Sequence, residues 1–147
     1  MDNLVTYISK MERVLEFKEF HHSKSMDELL HENAQFTANL NFINSELKFL
    51  KHLIKTYPFK NKMLNLFERV QLYGNQIDTL NDEKSEILNE IKKHETELKG
   101  MLECDELSCD NFYMMEHQKL AASIFNYIQD YQEFKTEIYQ YMTGIIE

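Results

Sequence analysis

The sequence predicts an all-α protein, an antiparallel up-and-down bundle of three long helices plus a shorter N-terminal helix, with coiled-coil-like packing and a single domain over residues 1–147. Three observations predict it. The 147 residues include only three glycines and one proline, whereas a sheet protein of this size needs many more turn residues. Apolar side chains recur in alternating steps of three and four over stretches far longer than an ordinary helix of about 11 residues. Hydrophobic residues make up 43% and charged residues 28% of the chain, enough apolar material for a packed core.

The first helix is expected over residues 2–20, where Leu4, Tyr7, Ile8, Met11, Val14 and Leu15 form a helical stripe. After a break at His21 to Lys24, Ser25-Met26-Asp27-Glu28 reads as a capping box that opens a second helix. That helix is expected from about Met26 to Thr56, with a seam at Leu29, Asn33, Phe36, Leu40, Ile43, Leu47, Leu50 and Ile54. Pro58 ends it, because proline disfavours the helical conformation of the residue before it. A third helix is expected from about Phe59 to Lys99, with Met63, Leu66, Val70, Tyr73, Ile77, Leu80, Lys84, Ile87, Ile91, His94 and Leu98 in its seam. Gly74 is placed in it to admit a bulky neighbour at a close crossing, and Gly100 to cap its end. The fourth helix is expected to start near Asp110, as its cap, with a seam from Tyr113 and His117 through Leu120, Ile124, Tyr127, Tyr131 and Phe134 to Ile145.

Hairpin closure turns these seams into layers. Folding the second and third helices about Pro58 pairs Leu47 with Val70, Leu40 with Ile77 and Asn33 with Lys84. Folding the third and fourth across residues 100–110 sets Lys84 beside Tyr127, and His94 beside Glu116 and His117. Asn33, Lys84 and Tyr127 then share a layer. A polar layer in a heptad seam fixes register; the competing reading lets Lys84 snorkel out and Asn33 bond to backbone.

The second polar group lies at one end of the bundle. His94 and His117 are in the seam, Glu116 is beside them, and His22 precedes the helix that starts at the same end. Imidazole and carboxylate ligands suit a transition metal such as zinc, and bundles build metal sites from facing helices. Metal ligands are therefore expected at His94, His117, Glu116 and His22 if a metal is bound. The competing reading is a polar, half-solvated end whose histidines bond to neighbours and hold no cofactor. The spacings of di-iron and hemerythrin-like sites are missing. Cys104 and Cys109, at C-x4-C spacing, make a poor zinc pair.

An apolar strip of Phe42, Phe49 and Leu53, with Glu46 among them, runs off the main seam of the second helix. A helix folding back from residue 21 reaches only about Phe42, so Phe49 and Leu53 are left for a protein partner or a second copy of the chain.

Charge and motif content exclude other classes. Acids outnumber bases 25 to 16 and the net charge is −9, with no basic stripe to neutralise phosphates, so neither nucleic acid nor anionic membrane is an expected partner. No stretch of about 18 apolar residues could span a membrane. Met1-Asp2-Asn3-Leu4 does not open a secretory signal, so a cytoplasmic location is expected. No phosphate-binding loop, dinucleotide fingerprint, nucleophile elbow, H-E-x-x-H or EF-hand loop is present, and no small-molecule substrate is implied.

The stretch Leu30-His31-x4-Phe36-x3-Leu40-x-Phe42-Ile43-x2-Glu46-Leu47, the later His94-Glu95 and the tyrosine-rich last helix resemble a group of small, uncharacterised bacterial helical proteins over residues 26–147. The resemblance implies the helical fold and brings no activity. The expected function is non-enzymatic: an interaction or scaffold bundle, self-associating, with a metal-binding bundle as the alternative.

Overall fold

A computed structural model describes residues 25–56, 65–100 and 107–145. Three α-helices account for nearly all of them: α1 at Met26–Thr56, α2 at Leu66–Gly100 and α3 at Leu107–Ile145. Among the described residues there is no strand, and no helix is long and apolar enough to cross a membrane. The expected helix over 2–20, the metal candidate His22, Tyr57, Pro58, Met63 and Cys104 lie outside the described residues.

α1 starts and stops where the sequence placed it. Ser25 Oγ accepts the Glu28 N–H at 3.4 Å, and the Ser25 carbonyl accepts the Leu29 N–H at 3.0 Å, so the serine satisfies donors that have no partner inside the helix. α2 starts later than expected, at Leu66 instead of Phe59. Asn65 is in a turn at φ 63°, the left-handed region that asparagine tolerates better than most residues, and its carbonyl takes the first intrahelical bond, from Arg69 N–H at 3.0 Å. At the other end Gly100 stays helical and does not have a positive φ. It is no left-handed cap. Its value is space, because the Tyr113 hydroxyl lies 3.1 Å from where a Cβ would stand. α3 begins at Leu107, so Asp110 lies within its first turn and is not its cap, and Cys109 is helical.

α2 runs antiparallel to both neighbours and packs closely against each, while α1 and α3, parallel to one another, meet mainly through long side chains. The seams form one continuous core. Leu40, Leu47 and Leu50 of α1, Tyr73, Ile77 and Ile91 of α2, and Ile124, Tyr131 and Ile138 of α3 are all buried in it. α3 also buries Ala121, Ala122 and Met142 outside its expected seam. Gly74 faces open space, with no heavy atom within 4 Å of a Cβ built there, so it serves no close crossing.

The α2–α3 register is as expected: His94 meets His117, and Tyr73 meets Phe134 edge-on. The α1–α2 register is not. Lys51 pairs with Asp78 at 2.5 Å and Lys84 donates to Asn44, so α1 is displaced by about eleven residues, three turns, from a hairpin closed at Pro58. These pairs put the midpoint of the reversal close to Asn65, just before α2 starts. Lys84 accordingly donates to Asn44 and, at 3.3 Å, to Asn81, while Asn33 lies three turns away. Burial, then the charge of Lys48, lowers the Lys84 pKa. Tyr127 donates to the Leu80 carbonyl at 2.8 Å, one turn from Lys84.

Candidate functional site

The corrected register places Asn33 and Glu32 of α1 at the level of His94 on α2 and His117 on α3. One layer therefore draws polar groups from all three helices. His117 is fully buried and His94 is 4% exposed. Nε2 of His94 stands 3.0 Å from Nδ1 of His117, and Nε2 of His117 stands 2.9 Å from a carboxylate oxygen of Glu32. The imidazoles are tilted by 35° with centroids 5.1 Å apart, and Phe36 stacks on His117 from the α1 side. The result is a hydrogen-bonded chain, Glu32–His117–His94, threaded through the bundle.

His94 is the outer member. Its Nδ1 lies 4.0 Å from a Glu97 carboxylate oxygen, one turn on along α2. The ring borders a cleft of about 280 Å³ between α2 and α3, whose acids are Glu90, Glu97 and Glu116. Burial, and then the charge of His117, lowers the His94 pKa to about 4 against a weaker opposing pull from Glu116. His94 is thus a neutral base at physiological pH.

Of the four expected metal ligands, the structure brings His94 and His117 together and holds them through a hydrogen bond between facing nitrogens. Glu116 lines the outer cleft and forms an ion pair with Lys119 at 3.3 Å. Among the described residues, no three histidine, cysteine or acidic side chains already form a ligand set for a metal ion. Glu32 and Glu97 went unnoticed in the sequence. Glu32 flanks the seam beside Asn33, and the misplaced register put it far from the histidines.

The apolar strip divides. Phe42 is 65% and Phe49 59% exposed, whereas Leu53 is half-buried against the core. Glu46 is half-buried. It crosses to α3, where Tyr131 donates to it at 2.9 Å and Lys135 at 2.6 Å. Burial alone would raise its pKa, but the Lys135 and Tyr131 hydrogen bonds win and hold it below the usual value. Burial, followed by that same bond to Glu46, raises the Tyr131 pKa. Phe67, Leu72, Phe112, Met115 and Tyr139 are further exposed apolar side chains, outside the strip and the seams.

No protein family, curated protein or solved structure matches the chain.

Proposed function

We propose that this protein is a non-enzymatic, cytoplasmic interaction bundle that self-associates through the outer face of α1. The observation that carries the reading is the pair Phe42 and Phe49, one heptad apart and both more than half exposed on the side of α1 turned away from the core. A soluble monomer rarely leaves two large aromatic rings in line on one helix face without a use for them.

Charge complementarity favours a second copy as the occupant. Asp27 and Glu28 are exposed at the N-terminal end of α1, and Lys55 at its C-terminal end. Among the described residues none of the three is in an ion pair. Phe42 lies at the middle of Met26–Thr56. Two such helices packed antiparallel about a two-fold axis near Phe42 bring each acidic end against the partner's basic end. This is the self-complementarity an isologous dimer requires.

Light scattering tests it. The full chain is expected at twice its 17.7 kDa mass. Phe42→Glu with Phe49→Glu is expected to run as a monomer with unchanged helix content. Lys55→Glu weakens association, and adding Asp27→Lys and Glu28→Lys restores it. A wild-type monomer at every concentration overturns the reading.

A further inference from the structure

Lys84 is only 7% exposed, yet its Nζ is held by neutral groups, the side-chain oxygens of Asn44 on α1 and Asn81 on α2. An ammonium carries three hydrogens and accepts nothing. Two are taken by the amides, and one is left. The same rule orients both amides. The atom each turns to Lys84 is its oxygen, so the group each has left is an NH2, which only donates. Among the described residues neither NH2 has a hydrogen-bond partner. Lys48 adds a second cation. It stands one turn beyond Asn44 on α1, and after burial its charge is what lowers the Lys84 pKa. Among the described residues neither lysine is in an ion pair. Asp78, about one turn before Asn81, is engaged by Lys51 at 2.5 Å. Asp82 follows Asn81 in the chain but lies about 100° further round α2 and is exposed. The unused hydrogen-bonding groups of this cluster are therefore donors, and two of them are cationic.

We propose that Lys84, Lys48 and the side-chain NH2 groups of Asn44 and Asn81 form a binding site for a small oxyanion such as inorganic phosphate, between α1 and α2 and separate from the Phe42–Phe49 face. A buried charge is stable when it is paired, and a bound anion supplies the counter-charge that the chain does not. It also relieves the repulsion between Lys48 and Lys84. Donors arriving from two helices require a ligand with several acceptor atoms. An oxyanion has them and a halide, a single centre, does not. Asn44 and Asn81 are half-buried and Lys48 is exposed, so the cluster opens to solvent and an ion can enter without unfolding the bundle. The net charge of −9 restricts the site to a small ion, because a polyanion such as nucleic acid would meet the acidic surface around it.

The test is a sodium phosphate titration of the full chain at neutral pH and constant ionic strength, read by the side-chain amide resonances of asparagine in nitrogen-15 NMR. The NH2 resonances of Asn44 and Asn81 are expected to shift together on one saturating curve, while those of Asn126 on α3 stay fixed. Sodium chloride in place of phosphate leaves all of them unmoved. Lys48→Met, at an exposed position that the fold does not need, weakens binding at least about tenfold, the size of one charge-assisted hydrogen bond. Lys84→Met abolishes it with helix content unchanged, and if that variant does not fold, Lys48→Met decides alone. Asn44 and Asn81 resonances that ignore phosphate overturn the proposal. So do shifts that chloride reproduces or that never saturate, which mean an adventitious ion only, and so does a Lys48→Met protein that binds like wild type.

Discussion

Nε2 of His94 and Nδ1 of His117 are 3.0 Å apart in the interior of the bundle, so the two rings share a hydrogen and cannot both carry a charge. Two imidazolium ions at that distance, shielded from water, would repel by far more than a hydrogen bond returns. The contact makes the bundle's stability depend on pH.

The sign follows from the proton balance. His94 in the folded protein has its pKa lowered to about 4, from an ordinary 6.5. As pH falls below 6.5 the unfolded chain takes up a proton that the folded chain refuses. The stabilisation is complete above 6.5 and is lost progressively as pH falls toward about 4. Urea midpoints measured from pH 7 downward should fall already between 6.5 and 5, above the range in which ordinary carboxylates titrate. His94→Gln should flatten that part of the curve. A wild-type midpoint that holds constant from 6.5 to 5 would refute the assignment.

The weight of the core lies in the seams. Leu47, fully buried at the middle of α1, should lose about 2–5 kcal/mol on replacement by alanine. His52, exposed on the outer side of the same helix, should be near neutral on the same replacement. Equal losses at the two positions in chemical denaturation would mean that α1 is turned the wrong way.

Asn33 has no exposed surface, and among the described residues neither its amide nitrogen nor its oxygen has a hydrogen-bond partner. A buried amide left unsatisfied destabilises by about 1–3 kcal/mol. Asn33→Leu, close in volume, should therefore raise the melting temperature. A lower one would show that the amide does bond within the layer and belongs to the histidine chain.

Gly74 offers a cleaner gain. It is helical, half-buried, and has nothing within 4 Å of a built Cβ. Gly74→Ala should stabilise by about 0.5–1 kcal/mol through helix propensity alone. Gly100→Ala should give no such gain, because the Tyr113 hydroxyl must first move. Equal effects in thermal melts would contradict this difference.

These residues also show what was legible in the sequence. The faces were: Leu29, Leu47, Ile77, His94, His117 and Ile138 are buried as their spacing requires, because a three-four period specifies which side of a helix is apolar. The α2–α3 register was legible too, since residues 100–110 bracket a short reversal. The α1–α2 register was not. A heptad pattern looks nearly the same after a shift of seven or eleven residues, so it selects the face and leaves the layer open. The layer depends on where the turn closes, and the pairs Lys51–Asp78 and Lys84–Asn44 put its midpoint close to Asn65 instead of Pro58. Hence Asn33 was matched to Lys84 in place of His94, and Glu32 went unseen as the third member of the histidine chain. The outward placement of Phe42 and Phe49 follows from face alone and does not depend on the layer. Glu46, on the neighbouring side of the same strip, is claimed by Tyr131 and Lys135, contacts that no single-helix pattern reveals.

Whether the α1 face meets a second copy of itself can be read by fluorine NMR of fluorophenylalanine-labelled protein across a dilution series. The resonances of Phe42 and Phe49 should move together toward solvent-exposed positions as the protein is diluted, while that of Phe134, buried in the core, stays fixed. Resonances of Phe42 and Phe49 that are solvent-exposed and unchanged at every concentration would contradict it.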